Sequence, residues 1–427
     1  MNRSAFWVTV TAVCATTFLS VRGADPFQFD DVRRLAQERA ATAYAPPDLD
    51  LPRSLRSLNY DDLRNIRFDS KAAIWRMERL PFQIQFFLRG GLRKDRITVH
   101  LLEGDRMETV LFSKNLFDYQ KVRIRGSLPD DLGFSGFRIH YPLNRADVLD
   151  ELIVFQGASY FRALGKGQRY GLSARGLALH VADRVPEEFP AFVEFWIEKP
   201  DRAAGRIRIY ALLDSPSVTG AYDMVLEPGT ETVMNVRAVL FPRKELAAVG
   251  VAPLTSMFWY GENAPIAHGD FRPEVHDSDG LLIQTGSNEW LWRPLVNENR
   301  IRYSSFVDSN PRGFGLLQRD RRFANYEDLE ADYQDRPSVW VEPTSTWGEG
   351  EIRLVELPTT TEFEDNVVAY WAPKNPLPAL QPSEFSYRLR WFLNSRNRPP
   401  LARVVSTRIG AIPHKATARR FVLDFSA

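Results

Sequence analysis

Two stretches of this chain concentrate the side chains that do chemistry. The first runs Ser256-Met257-Phe258-Trp259-Tyr260-Gly261-Glu262-Asn263, then Phe271-Arg272-Pro273-Glu274-Val275-His276-Asp277-Ser278-Asp279-Gly280-Leu281. It continues as Gly286-Ser287-Asn288-Glu289-Trp290-Leu291-Trp292-Arg293. The second is Trp347-Gly348-Glu349-Gly350-Glu351, followed by Pro358-Thr359-Thr360-Thr361-Glu362-Phe363-Glu364-Asp365-Asn366. Both set carboxylates among aromatic rings on turn-rich backbone, and loops of that kind carry binding residues when a rigid sheet positions them. Two carboxyls from distant loops, one protonated and one ionised, are what glycoside hydrolysis requires. Planar rings suit the apolar faces of sugars. The plainer alternatives stay open: Asp277 to Gly280 also suits a solvated tight turn, and the second stretch also suits an acidic loop before the strand Val367-Val368-Ala369-Tyr370-Trp371.

Other chemistries find less support. The only Cys, Cys14, lies in the apolar N-terminal run, so a mature chain has neither thiol catalysis nor thiolate zinc. The six His form no H-x-H or H-x-x-x-H pair, so no metal is expected. Ser215 and Ser256 lack a G-x-S-x-G elbow. Gly165-Lys166-Gly167-Gln168 has no strand-to-helix phosphate context and reads as a hairpin turn. Asp277-Ser278-Asp279-Gly280 lacks the third oxygen ligand and terminal Glu of a calcium loop. No cofactor is implied.

These residues need a scaffold, and the chain is long enough at 427 residues to bury a large core. Lys+Arg (55) and Asp+Glu (54) nearly cancel, so a nucleic-acid partner is not indicated. Arg3 and the apolar run Ala5 to Leu19, too short to span a bilayer, read as a secretory signal peptide over residues 1–23, cut near Gly23–Ala24. Losing Arg3 and Arg22 takes the formal charge from +1 to about −1. Asp30 or Asp31 is placed to cap a helix through Ala40, and a second helix is expected at residues 61–64. Beyond that the period is two: residues 82–86, 121–125, 137–141, 192–198 and 206–210 alternate as strands. Short strands punctuated by Gly, Pro, Asp and Asn predict a mostly β protein, a large antiparallel β-sandwich over residues 24–393. Asn394 to Pro400 reads as a linker, and about two strands follow, too few for an independent β domain.

Several long motifs, in order, resemble the periplasmic glucan biosynthesis proteins (the OpgG/OpgD, or MdoG, family). They include Phe155-Gln156-Gly157-Ala158-Ser159-Tyr160-Phe161-Arg162, Tyr170-Gly171-Leu172-Ser173-Ala174-Arg175-Gly176-Leu177-Ala178 and Ala252-Pro253-Leu254-Thr255-Ser256-Met257-Phe258. Arg272 to Ser278, Glu289 to Pro294, Gly313 to Arg319 and Val367 to Trp371 complete the set. The resemblance runs from about Phe27 to the end, and the plain leader, without a twin-arginine pair, is closer to the G branch. It implies a periplasmic protein with a wide cleft in its sandwich, followed by an immunoglobulin-like domain that is incomplete in residues 394–427. It implies a part in making osmoregulated periplasmic glucans, by inverting endo-hydrolysis of the β-1,2-glucan backbone as a glycoside hydrolase. The competing reading is a non-catalytic glucan-binding factor that guides the nascent polymer or assists its branching.

By the same resemblance Asp365 and Asp277 match the catalytic aspartates, acid and base in either order, and Tyr333 matches a tyrosine near them. An inverting pair stands roughly 6.5–9.5 Å apart, and proton relay through hydroxyls or water permits a larger gap. Trp259, Tyr260, Trp290, Trp292 and Trp347 are candidates for stacking on sugar, with core packing the competing use of each ring. Arg272, His276, Glu289 and Glu349 are candidates for polar contacts. The expected partners are β-1,2-glucan and an inner-membrane glucosyltransferase, and similarity to the family is consistent with a homodimer.

Overall fold

A computed structural model describes residues 20–22, 26–47, 49–262, 264, 269–394 and 402–426. The leader before residue 20, the expected cut near Gly23–Ala24 and the expected linker beyond Asn394 lie outside the described residues. The protein is mostly β, as the alternation predicts, built on one sheet of twelve strands and another of ten. Rings from the two sheets interlock: Phe137 and Phe155 of the ten-stranded sheet meet Phe195 of the other with centroids 4.9 and 5.4 Å apart. One continuous apolar core results, and each fully buried Leu, Ile or Phe in it contributes about 1.5–3 kcal/mol.

Pairing is antiparallel with one exception among the named ladders. Ala191–Glu198 runs parallel to Thr98–Glu103. Alternation reports which face a strand buries and is blind to direction. Here the intervening chain crosses into the other sheet and returns, so the neighbours need not be antiparallel.

The first helix spans Phe29–Ala40. Its cap is Gln28 rather than Asp30 or Asp31, because Asp31 at the third helical position reaches back to the Gln28 backbone and completes a capping box. Phe29, Val32, Ala36 and Ala40 fall on one face and pack against Trp196, Tyr210 and Phe241 on the outer side of the twelve-stranded sheet. The helix expected at residues 61–64 spans Tyr60–Asn65, after a one-turn helix Arg53–Arg56, and is capped by Asn59. Residues 121–125 alternate in sequence yet form no ladder, so that expected strand is corrected to a turn and irregular coil. Arg403–Ile412 and Lys415–Ser426 make one antiparallel hairpin, the two strands expected after the linker.

Candidate functional site

The site begins with a backbone that has no freedom to drift. Phe258–Tyr260 pairs with Val275–His276. The next amide, Asp277 N, donates to Met257 O at 2.8 Å, and two residues on Asp279 N donates to Leu317 O at 2.8 Å. The segment then enters the strand Gly280–Gln284. Asp277, Ser278 and Asp279 are 5%, 0% and 8% exposed, which rules out the solvated turn. Beneath lies a small separate core of Met257, Tyr260, Val275, Tyr326 and Tyr333.

The second carboxylate arrives from the loop between Glu349–Glu356 and Val367–Pro373. Its neighbour Asn366 is buried and clamps that loop to the first strand. Asn366 Oδ1 accepts from Phe258 N at 2.9 Å, while Nδ2 donates to Phe258 O and Leu357 O, both at 3.0 Å. Asp365 is thereby set beside the strand pair that carries Asp277. Solvent reaches the Asp365 side chain although neighbouring protein crowds it. Its carboxyl is held above the usual carboxylate range, by burial first and then by the charge of Asp277, against the pull of Arg162 and Arg336.

Asp277 does not stand free. Arg336 Nη1 donates to its Oδ1, and the same guanidinium lies 4.1 Å from the centre of the Tyr333 ring. Burial works against the Arg336 charge, and Asp277 and Tyr333 outweigh it, holding the guanidinium above its ordinary value. The Tyr333 hydroxyl donates to Glu362 Oε2 at 2.5 Å, and burial followed by this bond pushes its phenol up. Glu362 in turn accepts from Arg272 at 2.8 and 3.2 Å. Arg272 also pairs with Asp328 and Asp270, each at 2.8 Å. One arginine thus ties three loops, and that clamp holds the Asp365 loop to the segment bearing Tyr333.

A match settles what these parts belong to. A family model described as "Periplasmic glucan biosynthesis protein, MdoG" covers residues 27–427. The chain belongs to that family. Glucans biosynthesis protein G of Vibrio cholerae serotype O1 is 48% identical over 401 residues, 93% of this chain and 74% of that one. Its counterparts in Ralstonia nicotianae and Shewanella baltica are also 48% identical, over 93% of this chain and 79% and 74% of theirs. A solved GH36 alpha-galactosidase, AgaA from Geobacillus stearothermophilus, aligns at TM-score 0.29 and 8% identity over 60% of this chain and 39% of that one, which carries no argument. Family membership brings a part in periplasmic glucan biosynthesis.

In this family member the expected contact residues divide. Trp259 is half-buried at the site, edge-on to Tyr260 with centroids 5.2 Å apart. Tyr260 itself is 4% exposed and belongs to the small core. His276 is fully enclosed between Gln318 and Glu274, each at 2.7 Å, so it supports the Asp277 backbone and meets no ligand. Arg272 spends its donors on three carboxylates. Trp347 is a correction: it packs against Trp371, Phe385 and Tyr387 in the main core, each 6.0 Å away. Glu349 pairs with Lys374 at the far end of its strand, roughly 23 Å from Glu356, so it is not brought to the pair.

Trp290 and Trp292 sit on Trp290–Pro294, the antiparallel partner of the strand Gly280–Gln284 that follows Asp279, and Glu289 is exposed at its tip. Trp292 is held between Gly280, where any Cβ would strike its ring, and the Arg319 guanidinium 3.8 Å from its centre. Trp290 stacks on Trp340 at 5.9 Å, and Trp340 lies over Gly313, where a Cβ would likewise strike the ring. Trp340, Arg336, Glu362, Tyr160 and Arg162 escape the sequence reading as site residues. Tyr160, Arg162 and Glu362 stood within the quoted motifs, and only the fold aims them. Among the described residues no group of three His, Cys, Asp or Glu is arranged to hold a metal ion.

Proposed function

We propose that this protein hydrolyses the β-1,2-glucan backbone internally, with inversion, in the periplasm. The observation that supports the reading is the asymmetry of two carboxyls near enough for the charge of Asp277 to raise the titration of Asp365. Asp365 is kept toward its protonated form by burial and by Asp277. Asp277 is held against the cationic Arg336. That division supports Asp365 as general acid toward the leaving oxygen and Asp277 as general base toward water. Tyr333, fixed by Glu362 and Arg336, is placed to order the hydroxyls or water that carry the proton. The exposed rims of Trp259 and Trp290 would stack on glucose rings. A leader over residues 1–23, a homodimer and contact with a membrane glucosyltransferase accompany this reading.

The test is release of reducing ends from linear β-1,2-glucan. Asp277→Asn and Asp365→Asn, checked for folding by circular dichroism, should each lower the rate by about 10²–10⁴. With Asp365 as the acid, the rate falls as pH rises through its elevated titration. A folded wild type that binds the glucan and releases no reducing ends would leave the non-catalytic binding factor as the function.

A further inference from the structure

At the edge of the ten-stranded sheet formed by Gln83–Phe87, four arginines converge on one small recess. Arg64 comes from the helix Tyr60–Asn65, Arg67 from the strand Arg67–Phe68, Arg138 from Gly136–Arg145, and Arg93 from the turn after Gln83–Phe87. The recess encloses about 290 Å³, and no acidic residue lines it. Its remaining walls are apolar, chiefly Phe68, Phe87 and Phe117. Arg93 and Arg138 flank the Phe87 ring at 5.8 and 5.4 Å.

Charges this close repel unless something answers them. Among the described residues no carboxylate pairs with Arg64, Arg67 or Arg93. Asp118, across the ladder from Arg67, is occupied by Gln120. Arg138 alone is paired, through Nη1 to Glu151 at 2.6 Å and Nη2 to Gln85 at 2.9 Å. Among the described residues its enclosed Nε has no hydrogen-bond partner. A buried donor without a partner costs free energy unless a ligand takes it up.

We propose that this recess binds a phosphate ester. Guanidinium forks match phosphate oxygens, and a phosphate offers several forks an oxygen each, where a carboxylate has only two. The phenylalanine walls would receive the carbon part of the ester. The volume lies at the small end of ligand sites, so it suits one phosphate group with a few carbons rather than a polymer chain. Arg138 stands two strands from Arg162, roughly 10 Å along the sheet, and the lining of the recess includes neither Arg162 nor Arg336, the cations that act on the carboxyl pair. The proposal is independent of any hydrolytic activity.

The source of the phosphate can be a soluble ester or a lipid headgroup, and the experiment separates them. Calorimetry on the full chain would use inorganic phosphate and glycerol 3-phosphate, with glycerol as the neutral control. Flotation would use phosphatidylglycerol vesicles against phosphatidylcholine alone. Glycerol 3-phosphate should bind saturably and more weakly as salt rises. Arg67→Gln and Arg93→Gln should each weaken it roughly tenfold, with glucan hydrolysis unchanged. Arg64→Gln and Arg67→Gln alter exposed side chains, so they keep the test open if Arg93→Gln misfolds. Retention on phosphatidylglycerol vesicles alone, lost in the Arg64→Gln/Arg67→Gln double variant, would assign the phosphate to a lipid headgroup. Unchanged affinity in folded variants, or no binding of any phosphate compound or vesicle, would overturn the site.

Discussion

The side chain of Asn366 grips the backbone of Phe258 at both polar atoms, accepting from its N at 2.9 Å and donating to its O at 3.0 Å. This is the pairing a neighbouring strand would supply, made by one amide. It matters because Phe258 is the ladder partner of His276, and Asp277 follows His276 directly. Asp365 precedes Asn366. Two carboxyls 88 positions apart in the chain are therefore registered to each other through a single buried side chain.

Asn366→Asp tests that link at nearly constant shape. The carboxylate can still accept from Phe258 N, but it turns two acceptors, Phe258 O and Leu357 O, toward an acceptor. Leaving buried groups unsatisfied costs about 1–3 kcal/mol each. The variant should lose about 2–4 kcal/mol in urea denaturation. The rate of the proposed glucan hydrolysis should fall with little change in KM, since Trp290 lies on another strand. Asn366→Gln, which keeps the donor with a longer reach, should recover part of the rate; equal losses in both variants would argue for a packing role alone.

Asp365 makes a prediction about stability as well as rate. Its folded titration is raised above its unfolded value, so between the two the native state holds more protons than the unfolded state. Stability from this group is therefore full below the unfolded value, near pH 3.9, and is lost as pH rises through the folded one. Asp365→Asn removes the charge that burial and Asp277 disfavour. The variant should be more stable than wild type at pH 7, with the gain shrinking toward pH 4, while hydrolysis is lost. Thermal melts at the two pH values read the sign directly. A destabilised variant at pH 7 would mean the carboxylate is held by favourable contacts and is poorly suited to be the acid.

Strand alternation in residues 82–86, 137–141, 192–198 and 206–210 was legible because side-chain period is local, and each became a ladder. Residues 121–125 show the limit of the same signal: the pattern is there and no neighbouring strand comes to pair. The parallel register of Glu194 against Thr98 and the clamp of Asn366 on Phe258 are contacts between distant segments, which periodicity does not encode. Charge type misled in another way. Arg272 and His276 have the donors a sugar needs, but the fold surrounds them with Asp270, Asp328, Glu362, Glu274 and Gln318 before any ligand could reach them. Trp347 was drawn to the site by its acidic neighbours in sequence, while its ring is the part that packs inward.

Trp347 and Trp290 should accordingly separate under one substitution. Trp347 is 6% exposed and ringed by Trp371, Phe385 and Tyr387, so Trp347→Ala opens a core cavity and should cost about 3–5 kcal/mol. Affinity for β-1,2-glucan, measured on the fraction that remains folded, should be unchanged. Trp290 is half-exposed, with Trp340 on one side. Trp290→Ala should leave the denaturation midpoint within a small margin and weaken glucan binding by about 0.5–1.5 kcal/mol, roughly two- to tenfold in Kd. Calorimetry with a linear β-1,2-glucan and a urea titration on the same two variants decide it. Should Trp290→Ala bind as wild type does, the strand Trp290–Pro294 lies off the path of the polymer, and the sugar track must run instead past Trp259, toward Tyr160 and Arg162.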